Sequence, residues 1–127
     1  MSWLSSLFKR KGVNTEIQAF VKKAFGFSPK DTAVFEQAFR HSSAATKIRP
    51  GLKNSNERLE FLGDAVLGLI TCEHLFRWLP ERLEGELTKI KSHVVSRQTC
   101  AEIALELGLD ACILLGKGMG PRNTLPS

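Results

Sequence analysis

Tyrosine is absent from the 127-residue chain, and its acidic residues stop at Asp110. No apolar run approaches the roughly 18–20 residues a membrane span requires, which excludes a transmembrane helix. Without tyrosine, and with eight phenylalanines spaced for a core, a base-stacking platform is disfavoured. Three cysteines, Cys72, Cys100 and Cys112, are an odd number with no metal-ligand spacing. Cys72 and Cys100 fall on apolar helical positions, so they are expected to be buried, reduced thiols in a cytoplasmic protein. The start, "MSWLSSLFKRKGVN", has its charges after a very short apolar stretch, the reverse of a signal peptide. Residues 1–14 read as a basic tail, with an amphipathic membrane-touching segment as the lesser alternative.

What is present is ordinary globular composition, 43% hydrophobic and 24% charged, in a length that suits one domain. The net charge of +5 suits a polyanionic partner such as nucleic acid or a membrane surface. Nearly every segment has helical period, so the chain is expected to be all-α. "TEIQAFVKKAFGF" puts Ile17, Phe20, Val21, Ala24 and Phe25 on one stripe, with Asn14 or Thr15 as cap and Gly26 as the end. "SPKDTAVFEQAFRHSS" restarts the chain, with Asp31 capping and Val34, Phe35, Ala38 and Phe39 inward. "SAATKIRPGLKNS" reads as an exposed loop around a Pro-Gly break. A long helix then runs from "NSNERLEFLGDAVLGLI" towards Leu79, where Pro80 stops it. Two further helices follow, the second capped by Ser96 and ended by Gly108, and then a short "ACILL" element. The closing "GKGMGPRNTLPS" is rich in Gly and Pro and reads as a loop.

The long helix carries acids where its sequence is most apolar. At about 100° per residue, Glu57, Glu60 and Asp64 fall within roughly 60° of one another. Leu59, Leu62, Val66, Leu69 and Ile70 gather on the opposite side and are expected to face the core. Phe61, Leu67 and Gly68 flank the acids, so that side is no ordinary solvated face. Carboxylates converging beside apolar residues repel one another and resist desolvation unless a cation or basic partner balances them. Oxygen-only ligation is the hard-cation pattern of magnesium or manganese. The plain alternative is a helix N-terminal turn favouring acids through its dipole, with Arg58 as a local ion-pair partner. Asp64 lies two turns in, beyond the dipole's main reach.

"NERLEFLGDAVL" resembles the signature of the ribonuclease III family, ERLEFLGDxxL. Around it, "FEQAFRHSSA", with His41 and Ser42, resembles the segment before the signature. "LPERLEGELTKIKSHVVSRQTCAEIALELGL" resembles the segment after it. The resemblance implies an all-α endonuclease domain, here residues 15–127 in partial form, that hydrolyses phosphodiesters in double-stranded RNA as a homodimer. It implies Mg²⁺ as cofactor, with Mn²⁺ a substitute, and a cytoplasmic role in ribosomal RNA and other RNA processing. By the same resemblance Glu60 and Asp64 are metal ligands and Glu57 supports the cleavage site, so Asp64 and Glu57 are the catalytic candidates. Phe61 would pack into the partner subunit, and Glu84 would lie near the site across the dimer. Lys47, Arg49, Lys53, Lys89, Lys91 and Arg97 are candidates for offsetting the repulsion between acids and RNA phosphates.

The family pattern continues past such a Gly-rich loop into a helix bearing an Asp and, three residues on, a Glu, and then into a double-stranded-RNA-binding domain. Neither occurs before Ser127, so the domain is expected to be incomplete. The competing reading is a non-catalytic RNA-binding or assembly module that keeps the fold. Retention of Glu57, Glu60, Asp64 and Glu84 favours the enzyme.

Overall fold

The computed structural model describes residues 15–118. The basic tail and the end of the Gly-rich loop lie outside the described residues. In order, the elements are α1 (15–25), α2 (Thr32–Ala38), a 3₁₀ turn (Ser42–Ala44), β1 (Lys47–Arg49), β2 (Leu52–Lys53), α3 (Glu57–Trp78), α4 (Glu84–Val94), α5 (Arg97–Glu106) and a second 3₁₀ turn (Leu109–Cys112). The all-α expectation holds apart from the β1–β2 ribbon and one isolated parallel bridge between Arg40 and Leu114. Among the described residues no helix is long and apolar enough to cross a membrane.

The chain divides into two compact units. The first comprises residues up to Glu57 together with the stretch from Asp110 onward. Its core is Ile17 and Val21, which are 2% and 0% exposed, the inward positions of the α1 stripe. Phe20 meets Phe25 and Phe39 edge-on at ring-centroid distances of 6.0 and 5.8 Å, a geometry the aromatic quadrupole favours. Gly26 ends α1 at φ +77°, where a side chain would be strained. Asp31 caps α2 by accepting from the Ala33 N–H at 2.9 Å. Within residues 43–55, expected to be a plain loop, Lys47–Arg49 and Leu52–Lys53 form the antiparallel ribbon, whose register pairs Lys47 with Lys53 and Arg49 with Leu52. Gly51 takes φ +76° at its tip, and strands this short show no readable alternation.

The second unit runs from Arg58 to Leu109 and contains most of α3 with α4 and α5. α3 ends where expected: the Leu79 N–H still reaches the Leu75 carbonyl, and Pro80 has no N–H to continue. α4 and α5 meet through Val95 and Ser96. Ser96 Oγ accepts from the Thr99 N–H at 3.2 Å, and Thr99 Oγ1 donates to the His93 carbonyl at 2.9 Å. Gly108, at φ +73°, ends α5.

The expected core face of α3 is corrected. Leu62, Val66, Leu69 and Ile70 are 59%, 48%, 70% and 52% exposed, and the one buried residue of the helix is Thr71. Apolar side chains lie all round α3, so its sequence pattern does not say which side is covered. On the wheel Thr71 falls on the same side as the acids. Cys72, expected to be buried, is exposed, and Val34 and Phe25 are half exposed.

Candidate active site

The acidic helix is launched from a polar clamp. The Gln37 side-chain amide donates to the Ser55 carbonyl at 3.2 Å, and Arg40 Nη1 donates to the Asn54 carbonyl at 3.2 Å. The Asn56 N–H returns to the Arg40 carbonyl at 2.8 Å. Residues 54–56 are thereby tied to the end of α2 just before α3 begins. Ser55, 3% exposed, donates from Oγ to Glu57 Oε2 at 2.8 Å. Glu57 is the first residue of α3, where a carboxylate also gains from the helix dipole. Its position is therefore fixed by the preceding loop.

The segment before the signature has a second task. His41 Nδ1 and Ser43 Oγ lie 2.8 Å apart, and Ser43 Oγ accepts from the Gly116 N–H at 3.0 Å. The His41 N–H donates to the Leu114 carbonyl. A Cβ on Gly116 would lie 2.4 Å from the Ser43 carbonyl oxygen, so only glycine fits there without a backbone shift. His41 and Ser43 thus tie residues 114–116 to the first 3₁₀ turn within the first unit.

Glu60 and Asp64 stand one helical turn apart on α3, both exposed. At that spacing their Cβ atoms are about 5–6 Å apart, so two carboxylates are presented side by side on a rigid element. Asp64 lines a cavity of about 370 Å³ with Ala65, Gly68, Leu69 and Cys72 of α3, Lys91 of α4 and Val95. Phe61, beside the acids, is 84% exposed. Glu84 opens α4, and its Oε1 accepts from Thr88 Oγ1 at 2.8 Å. Among the described residues no three Asp, Glu, His or Cys side chains gather into a metal-binding group. The carboxylates thus divide into an adjacent pair, Glu60 with Asp64, and two held locally, Glu57 by Ser55 and Glu84 by Thr88.

Two other ionisable groups are displaced from their ordinary values. Glu86 is held low, first by the Leu83 N–H, which donates to its Oε2 at 3.1 Å, and then by Arg82, whose Nη1 donates to Oε1 at 2.9 Å. Burial pushes the Cys112 thiol up, with Glu16 and Asp110 adding to the effect. The clamp residues Gln37, Arg40, Asn54 and Ser55 carry no motif of their own. Their only signal in the sequence is a cluster of polar residues at a helix entrance.

Comparison with known proteins places the chain. Residues 31–125 match the Ribonuclease-III-like family. The chain is 46% identical over 105 residues to Ribonuclease 3 of Rhodopirellula baltica, covering 83% of this chain and 38% of that protein. It is 42% identical over 106 residues to Ribonuclease 3 of Enterococcus faecalis, covering 84% of this chain and 46% of that one. The chain therefore spans less than half the length of these curated relatives. A solved structure of the nuclease domain of ribonuclease III from Campylobacter jejuni, described as flexible in a region involved in dimer formation, superposes with a TM-score of 0.68 at 35% identity. That match covers 77% of this chain and 64% of the Campylobacter one. The family generally implies a divalent metal cofactor. The chain belongs to the ribonuclease-III-like family.

Proposed function

We propose that this chain carries part of the cleavage site of a metal-dependent endoribonuclease that hydrolyses phosphodiester bonds in double-stranded RNA. The observation that carries the reading is the Glu60–Asp64 pair, exposed on consecutive turns of α3. Two neighbouring carboxylates suit Mg²⁺, which keeps several waters and is commonly held by one or two carboxylates together with substrate phosphate. Mn²⁺ would be accepted by the same oxygen donors. Glu60 and Asp64 would hold the ion, which when bound supplies charge for water activation and for the departing 3′ oxygen.

The protein's own residues do the rest. α3 fixes the spacing of Glu60 and Asp64, and Ser55 orients Glu57 at the helix entrance so that its charge supports the site. Glu84 lies in the first turn of α4 as a supporting acid for a site completed across a homodimer. Phe61, projecting beside the acids, is suited to insert into the second subunit. A-form RNA is read mainly through its shape and 2′-hydroxyls, so little sequence preference is expected. A role in the processing of ribosomal and other structured RNA rests on the family resemblance. A cytoplasmic location follows from that role.

One observation favours a second reading, an RNA-binding module without cleavage: no third ligand joins Glu60 and Asp64 among the described residues. Incubating the chain with a long RNA duplex and Mg²⁺ separates the two. Metal-dependent cleavage supports the enzyme, and duplex binding without cleavage supports the module.

A further inference from the structure

Six basic residues are candidates for contacting RNA by charge alone, and the structure separates one from the others. Lys47, Arg49, Lys53, Lys89 and Arg97 are exposed, whereas Lys91 is half-buried. Its side chain lies along α3: Nζ and Cε are 3.7 and 3.8 Å from the point where a Cβ on Gly68 would stand. Gly68 is one turn beyond Asp64 on the same face, and a Cβ there would stand in ordinary van der Waals contact with the lysine's end. Lys91 and Asp64 line the same cavity.

A half-buried lysine lays its methylenes along apolar surface and keeps its ammonium within reach of water or an anion. Among the described residues Lys91 makes no ion pair; those present are Arg77 with Glu73 and Arg82 with Glu86. Asp64 lines the same space without being bound to it. An unpaired cation sharing an open concavity with the exposed Asp64 is arranged to receive an external anion. An RNA strand brings further phosphates beyond the one the held ion would meet, and a cation beside the acids offsets their repulsion.

We propose that Lys91 is a substrate-binding residue, its ammonium taking a backbone phosphate of an RNA strand laid along the Glu60–Asp64 face of α3. This rests on the endoribonuclease reading and adds to it the residue that draws the strand to the acids. Gly68 belongs to the same device, since a bulky side chain there would displace the lysine.

The test uses the chain in an Asp64→Asn background, so that binding is measured without cleavage, with Lys91→Gln and Lys91→Arg added separately. Affinity for a long RNA duplex is followed against salt, with circular dichroism as the check on folding. Loss of one phosphate contact lowers the slope of log affinity against log salt by about 0.7–0.9. Lys91→Gln is expected to weaken binding several-fold at low salt and to reduce the slope by that amount. Lys91→Arg is expected to restore both. An unchanged affinity and slope in Lys91→Gln, with Asp64→Asn itself binding normally, overturns the role of Lys91 and leaves the enzyme reading standing. Weaker binding with an unchanged slope assigns Lys91 a packing role and also overturns the proposal. Failure of the unmodified chain to bind or cut duplex RNA overturns both readings together.

Discussion

Ser55 and Glu57 form a 2.8 Å hydrogen bond in which a nearly buried hydroxyl fixes the first carboxylate of α3. The serine carbonyl is held in turn by Gln37, so the orientation of Glu57 is set from α2, 18 residues earlier in the chain. Ser55→Ala removes the donor and leaves Glu57 to swing freely. We expect it to cost about 1 kcal/mol in urea unfolding, the usual value of one such bond. Cleavage should fall while affinity for RNA stays within about twofold. An unchanged rate would show that Glu57 needs no orientation.

Gly116 offers a purely steric prediction. A Cβ there meets the Ser43 carbonyl oxygen at 2.4 Å, and that oxygen belongs to backbone that cannot rotate away. Gly116→Ala should destabilise the protein by about 1–3 kcal/mol, the range for forced overpacking. Gly63→Ala is its control: nothing lies within 4 Å of the added methyl, and the site is inside α3. That substitution should stabilise by up to about 1 kcal/mol through helix propensity. Thermal unfolding of the two variants should move in opposite directions.

Glu86 gives a pH dependence. Its carboxyl is held below its ordinary value of 4.5, chiefly by the Leu83 N–H and then by Arg82. A lowered folded value means that the unfolded chain takes up the proton first as pH falls. The stabilisation is thus present above about pH 4.5 and lost as pH drops through the lower, folded value. Glu86→Gln should flatten this part of the acid-unfolding profile, and the Leu83 amide should then exchange faster with solvent. An identical profile in the variant would mean that the bond is not kept in solution.

Phe61 is 84% exposed on the helix that carries the acids. Under the homodimer reading, Phe61→Ala should weaken self-association by about tenfold or more, as removal of a central aromatic anchor usually does. Sedimentation over a concentration series measures it directly. A dimer of undiminished strength would remove Phe61 from the interface.

The parts of the fold readable from sequence are those set by local chemistry. Asp31 and Ser96 cap α2 and α5, Gly26 and Gly108 close α1 and α5, and Pro80 stops α3, each through a preference acting within a few residues. The acidic pair was readable for the same reason, because a helix fixes the spacing of Glu60 and Asp64. The side of α3 that other helices cover was not. Periodicity groups Leu62, Leu69 and Ile70 on one face, but coverage depends on elements distant in sequence, and it is Thr71 that is buried. The clamp from Gln37 and Arg40 to residues 54–56 spans 14–18 positions and has no period to betray it. Lys91 looks like Lys89 in sequence, and only its burial and its place in the cavity with Asp64 distinguish them.

The central claim is that Asp64 helps hold the metal for RNA cleavage. The direct measurement is digestion of a long RNA duplex with Mg²⁺ by the parent chain and by Asp64→Asn, both shown to be folded. Asp64→Asn removes charge but little volume at an exposed position, so folding should be retained. The account predicts metal-dependent cleavage by the parent and none by the variant. Cleavage of equal rate by both would contradict it.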